Sequence, residues 1–145
     1  YQLISQVSGR VGRGHRRGEL FIQSFNPDHP VIRHAANDNY EPFYTDELAE
    51  RKQYHFPPFV QLLVLRCSRA TRDKAQAACE KLRNSLQQSY PGIRIDGPAP
   101  RFTEKQRGKY QWQLIVKTSR RSTLVDIVND LPSGWTYDLD PIDLL

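Results

Sequence analysis

A chain of 145 residues, 38% hydrophobic and 26% charged, fits one ordinary domain plus some appended structure, and it is long enough to bury a core. No run approaches the roughly 20 apolar residues of a membrane span, and no apolar export signal opens the chain, so a cytoplasmic protein without membrane partners is expected. The net charge of +5 is polarised: Arg101 to Arg121 carries seven bases against one acid, whereas Ser122 to Leu145 carries five aspartates and no base, so a polyanion would meet mainly the first block.

In chain order, Leu3, Ile4, Val7 and Val11 have helical spacing and predict a helix over residues 2–14, stopped by Gly12 and Gly14. ELFIQSF, residues 19–25, reads as a strand bounded by Gly18 and Asn26-Pro27. Residues 28–54 read as helical in pieces, with Asp28 capping one helix and Thr45 opening another. The prolines of FPPF, residues 56–59, fix an extended backbone and mark a boundary. The sequence thus divides into residues 1–25, a helical connector over 26–58, and a compact domain over 59–145.

Within that domain VQLLVLRC, residues 60–67, predicts a buried strand. Residues 71–89 predict an amphipathic helix with Ala75, Ala78, Cys79, Leu82 and Leu86 on one stripe. A short strand over 93–97, a longer one over 110–117, a helix over 122–131 and a last strand over 135–139 follow. The succession strand-helix-strand-strand-helix-strand predicts an α+β, ferredoxin-like fold, with two helices on a four-stranded antiparallel sheet. Asp140-Pro141 reads as the turn that ends the last strand.

Few residues have spacing suited to catalysis or metal binding. Cys67 and Cys79 form no CxxC pair and read as buried thiols, and no histidine has ligand spacing. Between Arg101 and Lys109, Phe102 and the nearby Tyr110 and Trp112 interleave with bases, a composition suited to phosphate attraction plus base stacking. The plainer reading is a solvated loop. Strand alternation puts Tyr110 and Trp112 on one face and Gln111 and Gln113 on the other, so Trp112 is either a core residue or a stacking one. For Trp135 a core position is expected.

The opening QVSGRVGR, residues 6–13, has the form QxxGRxxR, and it resembles the sixth conserved motif of superfamily two helicases. An always-protonated guanidinium from one lobe neutralises the charge of a transferring phosphoryl group held by the other. With GELFIQSFNPDHP, the Glu50-Arg51 and Pro57-Pro58-Phe59 segments, GPAP, YQWQLIVK and DLDP, nearly the whole chain resembles the C-terminal part of the primosomal replication-restart helicase (PriA) family. One departure is Gln111, where that family usually has arginine.

That resemblance implies a parent protein that is an ATP- and Mg²⁺-dependent 3′ to 5′ DNA helicase. It would recognise forked and single-stranded DNA at stalled forks and begin primosome assembly. Residues 1–25 would be a remnant of its second RecA-like lobe, with Arg10 and Arg13 catalytic and Gln6 and Gly9 lining the nucleotide. Arg101, Lys105, Arg107, Lys109 and Tyr110 would contact DNA. Lys117, Arg120 and Arg121, with Leu124 as an apolar wall, would receive the acidic tail of single-stranded DNA-binding protein, and other primosome proteins would be partners. The chain has no GxxxxGK[ST] loop and no DExH box, so alone it is expected to be inactive and cofactor-free. Any zinc of the parent would lie outside it, and the lack of methionine suggests a fragment of something longer. The alternative is a free-standing ferredoxin-like RNA-binding module, which would need stacking aromatics in its central strands; VQLLVLRC has none.

Overall fold

The computed structural model describes residues 1–12 and 18–144, and Arg13 lies outside them. Two compact units are present, Tyr1–Glu50 and Arg51–Leu145, so residues 51–58, assigned from sequence to a connector, group with the second.

The first unit contains α1 (Gln2–Ser8), α2 (Pro30–Ala36) and most of α3 (Tyr40–Gln53). The first helix is shorter than its apolar spacing predicts, because Gly9 already caps it, donating its N–H to the Ser5 carbonyl at 3.0 Å. Residues 19–25 form no strand. A strand needs a ladder partner, and every sheet strand among the described residues lies in the second unit, while Phe21 and Phe25 stay exposed. In α2 the cap is His29 rather than Asp28: its Nδ1 accepts from the Val31 N–H at 3.3 Å, and Pro30 stands at the start, where its missing N–H costs nothing. The third helix begins at Tyr40, five residues before Thr45, whose hydroxyl instead donates to the Glu41 carbonyl. Tyr1 stacks on Phe43 with ring centroids 4.4 Å apart, and Tyr40 meets both rings.

The second unit runs β1 (Gln61–Arg69), α4 (Arg72–Ser89), β2 (Arg94–Gln106), β3 (Lys109–Thr118), α5 (Arg121–Asn129) and β4 (Trp135–Leu139). The four strands form one antiparallel sheet in the order β2-β3-β1-β4. Alternation decides what each face buries. Leu63, Leu65 and Cys67 of β1 and Trp112, Leu114 and Val116 of β3 share a face, and they meet Ala75, Cys79, Leu82 and Leu86 of α4 and Leu124 and Ile127 of α5 in a single core. Both helices therefore cover the same side of the sheet. Thr71, read from sequence as the first helical residue, instead caps α4 by accepting from the Lys74 N–H. Trp112, 7% exposed, is a core residue. Trp135 is half-buried against the same core, with the Arg69 guanidinium 6.0 Å from its ring.

The helix-free face is partly covered as well. Leu62 and Val64 are buried there, the Gln113 amide donates to the Leu144 carbonyl at 3.0 Å, and Lys117 reaches the Tyr54 carbonyl at 3.1 Å. The main difference from expectation is β2, which continues to Gln106 instead of stopping at Gly97. Pro98 and Pro100 look like strand breakers, but β2 is an edge strand, and an edge accommodates prolines on its unpaired side. Gly97 makes the bend possible: its φ is 98°, and a Cβ would stand 3.0 Å from the Gln113 carbonyl oxygen.

Candidate nucleic-acid interface

The basic block is a β-hairpin. Gln106 pairs with Lys109, and the two residues between them, Arg107 and Gly108, have φ of 49° and 76°. Two consecutive left-handed residues make the tight turn whose twist suits a hairpin. Above the turn the ladder is irregular. Pro100 pairs with Trp112 and Lys105 with Tyr110, so residues 101–104 stand opposite Gln111 alone. Such a bulge re-aims side chains. Phe102 projects from it 88% exposed, and Glu104 ties it back to the start of α4 through Arg72 at 2.7 Å.

The sequence candidates for nucleic-acid contact are thereby brought together. Lys105, Arg107 and Lys109 are exposed around the turn, and Arg101 lies half-buried in the bulge. Lys105 Nζ stands 5.4 Å from the centre of the Tyr110 ring, a cation–π contact, while that ring also packs on the core. A cleft of about 380 Å³ opens beside the turn, lined by Ser68, Gln106, Arg107, Lys109 and Gln111. Ser68 and Gln111 are register partners on the helix-free face, and the Gln111 amide donates to the Ser68 hydroxyl at 3.2 Å. Sequence reasoning missed Ser68, Gln106 and the hairpin itself. The signal was Arg107-Gly108, a turn dipeptide directly before the strand-like KYQWQLIVK, masked by the prolines upstream.

The three partner-site candidates separate. Arg120 and Arg121 are exposed at the start of α5, and Arg121 pairs with Asp140 beside a cleft of about 370 Å³ walled by Pro57, Pro58, Val60, Leu62 and Pro141. Lys117 is not on that surface: it is 4% exposed, with its ammonium held by Asp96 at 2.7 Å, by the Tyr54 carbonyl, and over the Phe56 ring at 3.9 Å. Nor does Leu124 form a wall, because it is wholly buried in the core. In the first unit, Gln6 and Arg10 are exposed, on and just after α1, with Gly9 between them. Cys67 and Cys79 are buried 3.6 Å apart, and the hydrogen bond to Cys67, with burial, pushes the Cys79 thiol far above its ordinary range. Among the described residues no three carboxylate, imidazole or thiol side chains cluster as metal ligands would, and no helix is long and apolar enough to cross a membrane.

An α+β unit bearing a basic hairpin defines the class, and comparison with known families specifies it: residues 52–142 match the primosomal protein N C-terminal domain. The chain is 36% identical over 118 residues to the replication restart protein PriA of Synechocystis, an alignment covering 81% of this chain and 14% of that protein. Against the PriA of Bacillus subtilis it is 30% identical over 141 residues, 97% of this chain and 18% of the relative; against that of Haemophilus influenzae it is 31% identical over 153 residues, 99% and 21%. The chain belongs to the PriA family. It spans about a seventh to a fifth of the length of these relatives.

Proposed function

We propose that this chain is the DNA-binding and partner-docking part of an ATP-dependent replication-restart helicase, cytoplasmic and acting at stalled forks. The observation that carries the DNA-binding reading is the hairpin, which presents Lys105, Arg107 and Lys109 at its turn and the exposed ring of Phe102 in the bulge above it. Phosphates would be attracted by the three bases, and an exposed aromatic offers a stacking platform indifferent to sequence. The sheet order β2-β3-β1-β4, with both helices in one core, supports a ferredoxin-like second unit.

An RNA-binding module of that fold would read bases on the open face of its two central strands. Here that face carries Leu62, Val64, Arg66 and Ser68 on β1 and Gln111, Gln113, Ile115 and Lys117 on β3, with no aromatic among them. The DNA reading is therefore favoured. Fluorescence anisotropy with forked DNA, single-stranded DNA and structured RNA tests it: binding to both DNAs above RNA is expected, and a preference for RNA would overturn the reading.

Docking of the acidic, apolar-ended tail of single-stranded DNA-binding protein fits Arg120, Arg121 and the proline-walled cleft beside them, and other primosome proteins would assemble on the parent. In the parent, Arg10 and Arg13 would complete the ATP site from the second lobe, with Gln6 and Gly9 beside the nucleotide. ATP with Mg²⁺, when bound to the parent, would supply the phosphoryl transfer that drives unwinding. The exposure of Gln6 and Arg10 is compatible with facing a nucleotide, whereas the phosphate loop that would cradle it is not in this sequence.

A further inference from the structure

The cleft beside the hairpin turn combines two kinds of donor. Arg107 and Lys109 bring charge, and Ser68 and Gln111 bring neutral donors from the helix-free face of β1 and β3. The Gln111 amide spends one hydrogen on the Ser68 hydroxyl, which fixes both side chains across the strands. Its second amide hydrogen and the hydroxyl hydrogen are left to donate to an acceptor in the cleft. No carboxylate is among the residues lining the cleft, so an anion there would face two cations and no fixed negative charge.

A second, independent observation is backbone strain at Arg107. It occupies the first central position of the turn with φ of 49°, where Gly, Asn and Asp are the comfortable residues and any other L-residue is strained. Strain held at one exposed side chain is a pointer to use of that side chain. The strained residue is the one that places a guanidinium on the cleft.

We propose that this cleft is a seat for a single backbone phosphate of bound DNA, with Ser68 and Gln111 as its neutral ligands and Arg107 and Lys109 as its charged ones. The proposal rests on the DNA-binding reading above and adds to it a defined pocket and two uncharged ligands, one of them, Ser68, outside the basic block. A seated phosphate fixes the register of the strand on the hairpin, so that Phe102, projecting from the bulge, meets a base.

The two kinds of ligand are separable by salt. Neutral donors release no counterions, so Ser68→Ala with Gln111→Ala should weaken a single-stranded oligonucleotide roughly tenfold at every salt concentration, with the salt slope unchanged. Removing both partners of the Ser68–Gln111 hydrogen bond leaves neither unsatisfied, so the fold should survive. Gln111→Glu, isosteric but anionic, should weaken binding further, and inorganic phosphate should compete only at millimolar concentration. Lys109→Ala, in contrast, should lower the slope by about 0.7 to 0.9. Wild-type affinity in both cleft variants, with affinity lost on changing Lys105, Arg107 and Lys109 together, would overturn the phosphate seat and leave the DNA-binding reading standing. No DNA binding by the unaltered 145-residue chain would overturn both.

Discussion

Lys117 Nζ lies 2.7 Å from Asp96 Oδ2, yet the two side chains differ tenfold in exposure, the lysine at 4% and the aspartate at 41%. The pair joins β3 to β2, and through the Tyr54 carbonyl and the Phe56 ring the same ammonium fastens the FPPF segment to the sheet. An asymmetric response to substitution follows. Asp96→Asn strands a buried cation and should cost about 3 kcal/mol, near the lower end for breaking a buried pair, because two other partners remain. Lys117→Met leaves the half-exposed Asp96 carboxylate to water and should cost about 1 kcal/mol, the upper end for a solvated ion pair. Urea unfolding followed by the fluorescence of Trp112 and Trp135 measures both; equal costs would contradict the assignment.

Arg107 should show opposed effects on stability and binding. Arg107→Asn puts a residue comfortable at positive φ into the turn and should stabilise the second unit by a few tenths to about 1 kcal/mol. The same change should weaken DNA. A thermal melt beside an anisotropy titration reads both, and a variant that is less stable and binds as well as the parent would remove the argument from strain.

Phe102 is too exposed to support the core, so Phe102→Ala should leave the melting temperature unchanged. If a base stacks on it, single-stranded DNA should bind about 5- to 160-fold more weakly, the range of about 1 to 3 kcal/mol for losing one stacking ring. Unaltered affinity would mean that the ring is not a platform.

Arg120 and Arg121 make a docking prediction that excludes Lys117. An acidic peptide ending in apolar residues should bind with micromolar affinity, about 8 kcal/mol, and Arg120→Ala with Arg121→Ala should weaken it at least tenfold. Calorimetry tests this, and an undiminished double variant would place the docking site elsewhere. Changing Val60 to Asp, on the wall of the neighbouring cleft, should weaken the same peptide by repelling its acids.

Much of the second unit is legible from sequence because its signals are local. The stripe Ala75, Cys79, Leu82 and Leu86 and the unbroken apolar run of β1 each dictate one element, and the order of elements matches the sheet that forms. What failed depended on partners distant in sequence. ELFIQSF has strand composition but nothing among the described residues to pair with, and GPAPR has breaker composition but an edge position that accepts it. In the site, charge marked Lys105, Arg107 and Lys109, because bases are visible one residue at a time. Ser68 and Gln111 are ordinary until the register of β1 against β3 puts them side by side. Lys117 misled for the same reason, since a lysine at a strand end looks like surface until Asp96 and Phe56 close over it.

The central claim, that the hairpin binds DNA through its bases, is tested most directly by the salt dependence of affinity. For the unaltered chain, log affinity for single-stranded DNA should fall linearly with log salt, each neutralised phosphate contributing roughly 0.7 to the slope, or about 0.9 on duplex DNA. With Lys105, Arg107 and Lys109 all changed to alanine, the slope should flatten by about 2 to 3. An identical slope in the two proteins would contradict the account, because it would leave the hairpin bases making no contact with phosphate.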